Sequence, residues 1–199
     1  GTGGRATIYT GGISGSTGVH TFVGGASGQS RYNSDESASN FTTALGTGGY
    51  VVYREQPTVT FTASNDSKTY DASTYSGGNG YTVSGLQNSD AEGLLSGSIS
   101  YVGSAQGAKN VGSYGITQTG ITDTLGYAVS FVPGTLTVSK AGLTVTAADD
   151  SKTYDTLAYS GDNGYSISGF VGGEGEGDLS GTVAIGGSSQ GAINAGSYA

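Results

Sequence analysis

The chain has no cysteine, methionine or tryptophan, and its 199 residues include two prolines and one histidine. Without cysteine, neither a disulfide framework nor a thiolate metal site can form. Positive charge is also scarce: seven Lys and Arg stand against fifteen Asp and Glu, giving a net charge of −8. Binding to a phosphate backbone requires clustered Lys and Arg side chains, and here they are few and scattered. We therefore expect no nucleic-acid partner.

Long apolar runs are absent as well. None approaches the roughly 18 residues that cross a bilayer, so we predict no transmembrane segment in this fragment. The start lacks the charged, apolar and small-residue order of a signal peptide, and Gly1 is interpreted as lying within a longer chain.

Glycine, serine and threonine supply 92 residues. Because each glycine inside a helix costs about 1 kcal/mol against alanine, long helices are disfavoured. Charged residues make up 11% and there are 14 tyrosines, which is unlike a disordered chain. We therefore predict a folded, thinly cored, all-β protein with one short helical turn per unit.

The chain contains a tandem repeat with an offset of 84 residues. Residues 66–71 recur as 150–155, and 31 of 57 positions are identical between residues 59–115 and 143–199. We divide the chain into a β-rich N-terminal region (1–56), a first repeat module (57–140) and a second module (141–199). The counterpart of residues 116–139 lies outside the sequence, so the second module is interpreted as truncated.

Alternating apolar positions predict the strands. Asn79-Gly80, Asn163-Gly164 and Pro133-Gly134 predict turns, the last a tight hairpin. One helical turn is expected within residues 89–95, and no other helix. The short join at residues 140–142 indicates small β-sandwich or β-grasp-like modules arranged end to end. The predicted strands cover residues 5–9, 20–23, 50–53, 59–63, 99–101, 127–131, 136–138, 143–147 and 183–185.

Catalytic candidates are few. His20 is interpreted as an exposed or edge-strand residue rather than a general base. The serine in Gly12–Gly15 lies in a turn-like stretch with no helix to follow, unlike a nucleophile elbow. We expect no enzymatic activity, catalytic residue or cofactor.

Calcium binding is an alternative for the acidic stretches. Their spacing is not that of an EF-hand loop. Residues 172–178 resemble a calcium-binding nonapeptide repeat, but their aspartate lies one position further along the chain than in that repeat. Turn capping by Asp and Asn is the favoured interpretation, and we predict no metal site. The oxygen donors considered are Asn65, Asp66, Asp71, Asp149, Asp150 and Asp155.

A Lys–Asn isopeptide crosslink is a second alternative. Both copies keep a lysine, an asparagine and acids, but the reaction needs a neutral lysine in an apolar pocket. Lys68 lies among Ser, Thr and Asp, so a solvated turn is favoured. The residues considered are Lys68, Asn110, Asp71 and Glu92, with Lys152, Asn194, Asp155 and Glu176 in the second copy.

The recurrent tyrosines are interpreted as core or edge packing, because the two copies must share the fold. Sugar stacking on tyrosine is the alternative, and Asn40 and Asn65 begin glycan-acceptor patterns. The four recurrent pairs are Tyr70 with Tyr154, Tyr75 with Tyr159, Tyr81 with Tyr165 and Tyr114 with Tyr198.

Three stretches, at residues 67–71, 189–198 and 134–138, together resemble the MBG/YDG-type repeats of large secreted bacterial adhesins of the filamentous haemagglutinin, two-partner-secretion kind. Residues 4–9 and 31–33 resemble the β-rich segment that follows a β-solenoid shaft there. The family's glycine after Tyr-Asp is replaced by Ala72 and Thr156, so a left-handed backbone is not expected at those positions.

The resemblance implies an extracellular or cell-surface protein. We interpret the chain as stalk or spacer repeats of a surface fibre that supports adhesion or biofilm formation, with a carbohydrate- or self-binding module as the alternative. The expected partners are neighbouring repeats, other copies of the chain that could complete the second module, and a glycan or matrix polysaccharide.

Overall fold

The computed structural model describes residues 3–199, which divide into two compact units. The first comprises the described residues up to Lys68, with Thr74–Ala108 and Gly112–Val138. The second comprises Thr69–Ser73, Lys109–Val111 and Ser139–Ala199. The fold is all-β, as predicted. Within residues 3–199 no helix has the length and apolarity to span a bilayer. The three-region division stays a prediction.

The N-terminal region forms a three-stranded parallel sheet. Strands β1 (Arg5–Thr10) and β2 (Ser30–Arg31) both pair with β3 (Gly48–Tyr53), which lies between them. Strands near residues 5–9 and 50–53 are thereby confirmed.

The strand predicted at residues 20–23 is wrong, because helix α1 (Val19–Phe22) lies there. Gly18 has a φ of 87° and its carbonyl accepts the Phe22 N–H at 2.9 Å. Gly24 and Gly25 also have positive φ. The flanking glycines therefore turn the chain where the short apolar pattern suggested an extended strand.

The first repeat forms two sheets. In one, β4 is antiparallel to β6 and parallel to β9; in the other, the order is β5-β10-β8-β7. Strand β8 contacts both β4 and β9, so the sheets meet across the core. The strand bounds are β4 (Thr58–Ala63), β5 (Asp66–Thr69), β6 (Tyr81–Ser84), β7 (Ser96–Val102), β8 (Gly112–Thr122), β9 (Ala128–Val132) and β10 (Gly134–Ser139).

The predicted hairpin at Pro133-Gly134 is wrong, although both flanking strands exist. β9 pairs with β4, whereas β10 pairs with β8 in the other sheet. Pro133 has no N–H for a ladder. A Cβ on Gly134 would lie 2.6 Å from the Ser64 carbonyl oxygen. The two residues therefore carry the chain from one sheet to the other, past the end of β4.

The core of the first unit joins the N-terminal region to the first repeat. Alternate residues of β4 and β10 are buried, as the period-two pattern requires. The central cluster consists of Tyr32, Val51, Tyr53, Val59, Phe61, Leu95, Leu125 and Tyr127.

One 3₁₀ turn per repeat matches the expected helical turn. It spans Glu92–Leu94 in the first repeat and Glu176–Asp178 in the second. A further 3₁₀ turn at Ser14–Ser16, together with α1, contradicts the expectation of no other helix.

The second repeat has little regular structure. Strand β11 (Thr144–Ala147) pairs antiparallel with β12 (Tyr165–Ser168), and no residue of 141–199 is fully buried. Val145 is 51% exposed, whereas its counterpart Phe61 is 0% exposed. The strand predicted at residues 183–185 is wrong. Its counterpart β7 pairs with residues 117–122, whose equivalents lie beyond the 199 residues.

Ala72 and Thr156 adopt a left-handed backbone, with φ of 62° and 68°. The expectation that they would not is therefore wrong. Asp71 Oδ1 accepts the Ser73 N–H at 2.9 Å, and Asp155 Oδ1 accepts the Leu157 N–H at 3.0 Å. These side-chain turns hold the conformation that glycine would adopt without a Cβ penalty.

Replacing Thr156 by glycine is expected to stabilise the second repeat by about 1 kcal/mol, because a Cβ in the left-handed region costs about 1–2 kcal/mol. Native-state hydrogen exchange of amides in residues 141–199 measures the change. Thr153, at an exposed position whose φ is not positive, is the matched control. Thr153→Gly should stabilise nothing; equal protection in both variants would contradict the prediction.

Candidate functional site

Asp90 is a buried carboxylate surrounded by hydroxyl and amide donors. It lies in the loop between β6 and the 3₁₀ turn at Glu92–Leu94, and 7% of it is exposed. Its Oδ2 accepts the hydroxyls of Tyr32 at 2.8 Å and Tyr127 at 2.9 Å. Its Oδ1 accepts the Gly28 N–H at 2.8 Å. One carboxylate thus ties two segments of the N-terminal region to the first repeat.

The rings around Asp90 form a packed tyrosine cluster. Tyr32 stacks on Tyr53 with centroids 5.6 Å apart and contacts Tyr127 at 4.5 Å. The Gln87 N–H donates to the Tyr127 hydroxyl at 2.9 Å. Burial is the main cause that raises the pKa of both Tyr32 and Tyr127. Both phenols therefore stay protonated as donors to Asp90 at neutral pH.

Pairs of tyrosine hydroxyl and carboxylate recur at equivalent positions of both repeats. Tyr75 donates to Asp66 at 2.8 Å, and Tyr159 donates to Asp150 at 2.8 Å. The other recurrent pairs are Tyr81 with Glu92 at 2.6 Å and Tyr165 with Glu176. The recurrence indicates a structural use of these acids and phenols, because what both copies share is the fold.

Alkaline pH is expected to weaken the first unit through these phenols. Burial, followed by the Asp66 hydrogen bond, raises the pKa of Tyr75 to about 12. The unfolded chain loses this proton near pH 10, so the contribution is complete below about pH 10 and disappears as the pH rises towards 12. Urea unfolding at pH 9 and pH 11.5 measures the loss, and Tyr75→Phe should reduce it. Equal stability at the two pH values would contradict the prediction.

Arg31 is a second buried polar group. It is 2% exposed, and its guanidinium lies 5.5 Å from the centroids of both Phe41 and Tyr50. Desolvation is the main cause that lowers its pKa. It holds the loop before β3 by donating to four carbonyl oxygens, those of Gly28, Ser30, Thr43 and Ala44.

The catalytic candidates lie apart from any reactive arrangement of the described residues. His20 is on α1, and its Nε2 lies 3.0 Å from the Ala26 carbonyl oxygen, which orients the ring within its own loop. Ser14 begins the 3₁₀ turn Ser14–Ser16, with no nucleophile elbow around it. The absence of enzymatic activity stays a prediction.

The acids considered for calcium accept hydrogen bonds from the protein. Asp66 and Asp150 accept tyrosine hydroxyls, as described above, and each also accepts the N–H of the following serine. Asn65 Oδ1 accepts the Thr135 N–H at 2.8 Å. Within residues 3–199, no three His, Asp or Glu side chains are grouped to hold a metal ion. These contacts agree with the capping interpretation.

The crosslink candidates are placed as follows. Lys68 is on strand β5 and not in the expected turn. Lys152 Nζ lies 2.7 Å from both Asp155 Oδ1 and the Leu157 carbonyl oxygen. Lys152 therefore lies against a carboxylate and a carbonyl oxygen and not in the apolar pocket that the crosslink requires.

The second repeat carries an open groove of about 670 Å³. Its size lies in the range of small-molecule sites. Polar and aromatic side chains line it, among them Asp150, Tyr154, Asp155, Tyr159 and Tyr198, together with the aliphatic Ile193. Phenol rings beside carboxylates can stack on a sugar ring and accept its hydroxyl hydrogens.

Asp90 was not among the candidates from the sequence, although a signal for it exists. The second copy has Glu174 at the equivalent position, an acid kept while its neighbours changed. The side-chain amide of Asn40 donates to the Asn33 carbonyl, so this glycan-acceptor candidate is engaged within its own loop.

Residues 59–137 match the family model of the MBG domain (YGX type). The match covers the first repeat from β4 to β10 and supports that part of the resemblance. A solved structure described as a cell surface adhesin from Lactobacillus reuteri is similar, with 21% identity, 42% of this chain and 97% of that chain covered, and a TM-score of 0.29. No curated protein matches the chain.

Proposed function

We propose that the chain is part of a bacterial surface adhesin, in which MBG-type β modules serve as stalk or spacer repeats. The observation that carries this proposal is the MBG match at residues 59–137 followed by a second copy at an offset of 84 residues. In a tandem array each module contacts mainly its neighbours, so duplication of one module lengthens the protein.

The polar contacts support a mechanical rather than a chemical role. The acids and phenols that recur between the copies bond to one another, at Tyr75 and Asp66 and again at Tyr159 and Asp150. Such pairs fix loops onto the sheets and leave no free base or nucleophile among them. The module therefore offers rigidity, which is what a spacer requires.

The finer assignment is to a filamentous haemagglutinin-like, two-partner-secretion adhesin that supports adhesion or biofilm formation. The parallel pairing of β1, β3 and β2 supports it, because parallel pairing is the arrangement that a β-solenoid shaft would continue. Extracellular placement at the cell surface belongs to the same proposal.

Surface labelling tests the proposal. Antibodies against residues 57–199 should label intact, unpermeabilised cells of the source organism. Labelling that appears only after permeabilisation would overturn it.

A carbohydrate-binding module is the second candidate, favoured by the tyrosine- and acid-lined groove. A glycan and polysaccharide array separates the two functions. A spacer predicts no saturable binding by the chain. Saturable binding that is lost in Tyr154→Ala and Tyr159→Ala variants, but kept in Tyr9→Ala, would establish the second candidate.

A further inference from the structure

Within the second compact unit, a glycine-rich acidic loop is held against a short segment of the chain that precedes it. The Tyr70 hydroxyl donates to the Glu174 carboxylate, and this bond is the main cause that raises the pKa of Tyr70. Gly172 approaches Ala72 so closely that a Cβ there would overlap the Ala72 side chain. The contact therefore joins a tyrosine and the residue two positions after it to an acid and the glycine two positions before that acid.

A cavity of about 280 Å³ lies beside this contact. Apolar side chains of the loop and of the receiving segments line it, among them Val111, Leu143, Phe170, Val171 and Leu179. The loop thus combines one hydroxyl–carboxylate bond with an apolar surface.

The acid at this repeat position has the same kind of partner in both copies. Asp90, the counterpart of Glu174, accepts the hydroxyl of Tyr32. Tyr32 lies before β4, the first strand of its repeat, as Tyr70 lies before β11. In each copy, therefore, the acid takes a tyrosine hydroxyl from the chain before that copy begins.

The second repeat carries the equivalents of the residues that receive the loop. Tyr154 corresponds to Tyr70 and Thr156 to Ala72, and we give the name Tyr154 patch to Tyr154 and the apolar residues Leu157 and Ile193. They are exposed by 62%, 65% and 49%, and Tyr154 and Ile193 line the same groove. Thr156 also has the left-handed backbone of Ala72.

We propose that the Tyr154 patch is the surface that receives the acidic loop of a further MBG-type repeat, with the Tyr154 hydroxyl donating to the acid at the position of Asp90 and Glu174. The occupant is inferred from the contact of Tyr70 with Glu174, which occupies the equivalent residues within the second unit. The two additional apolar side chains, Leu157 and Ile193, enlarge the surface that the loop would cover. The proposal rests on the 84-residue repeat and not on the adhesin role.

Two extended chains test the proposal. One carries a copy of residues 116–139 after Ala199, which supplies the second repeat with its remaining strands. The other carries a copy of residues 116–199, which adds a further loop with its own acid. We expect the nitration rate of Tyr154 by tetranitromethane, measured by mass spectrometry, to fall several-fold in the longer chain relative to the shorter one. A Glu174→Gln substitution in the added copy should restore much of the rate.

Equal nitration of Tyr154 in the two extended chains, with the added repeat folded by NMR, would overturn the proposal. If the added repeat does not fold, the 199-residue chain is titrated with a synthetic peptide of residues 168–181. Shifts of the Tyr154, Leu157 and Ile193 signals, absent with a Glu174→Gln peptide, support the proposal. No shift at about 1 mM peptide overturns it. Surface labelling is independent of either result.

Discussion

Replacing Asp90 by alanine is expected to lower the free energy of unfolding of the first unit by about 3–5 kcal/mol, because it leaves the buried hydroxyls of Tyr32 and Tyr127 without their acceptor. The Gly28 N–H loses its partner as well. Each buried donor without an acceptor costs about 1–3 kcal/mol. Urea unfolding followed by near-ultraviolet circular dichroism, which reports the stacked tyrosines, measures the loss.

Glu92→Ala is the matched control for this substitution. Glu92 also accepts a tyrosine hydroxyl, that of Tyr81, but at the protein surface, where water replaces the lost acceptor. Its removal should cost less than about 1 kcal/mol. The prediction fails if Asp90→Ala and Glu92→Ala unfold at the same urea concentration, because burial of the carboxylate would then have no effect on stability.

Strands β4 and β10 of the first repeat were predictable because one face of each is buried. Val59, Phe61 and Ala63 alternate with threonine along β4, and all three are at most 4% exposed. A one-residue shift would place these apolar side chains in solvent, so the pattern is strongly constrained. The second copy has the same alternation at β11. The alternation predicted this strand correctly, although all four of its side chains are exposed.

The partner of each strand could not be predicted, because pairing is set by contacts distant in the sequence. β4 pairs in parallel with β9, which begins 70 residues later. Pro133-Gly134 has the composition of a hairpin turn, and nothing local separates a hairpin from a change of sheet. The feature that marks the change of sheet is the close approach of Gly134 to the Ser64 carbonyl oxygen, and this contact exists only after the sheets have formed.

The Asp90 cluster was missed for the same reason. Its two tyrosines lie 58 and 37 residues away along the chain, so no spacing in the sequence joins them. Composition did indicate that tyrosine must supply core area, and Tyr32, Tyr53 and Tyr127 do so. The sequence also predicted that Ala72 would not have a left-handed backbone. The hydrogen bond from the Ser73 N–H to the preceding Asp71 holds the conformation for which a glycine was expected.

Gly126→Ala is expected to destabilise the first unit by about 3 kcal/mol or more, because two separate penalties combine there. Gly126 has a φ of 103°, which a residue with a Cβ rarely adopts. Its Cβ would also overlap the Tyr32 carbonyl oxygen. The Tyr32 N–H donates to the Leu125 carbonyl oxygen at 2.8 Å. A shift of Tyr32 that relieves the overlap would therefore break this hydrogen bond.

Gly107→Ala separates the two penalties. Gly107 has a φ of 83°, but a Cβ there meets no atom within 4 Å. This variant should therefore lose about 1–2 kcal/mol, the cost of the left-handed backbone alone. Urea unfolding of both variants gives the difference, which measures the overlap with Tyr32. If Gly126→Ala lost no more stability than Gly107→Ala, the close approach of Gly126 to Tyr32 would not constrain the junction between the N-terminal region and the first repeat.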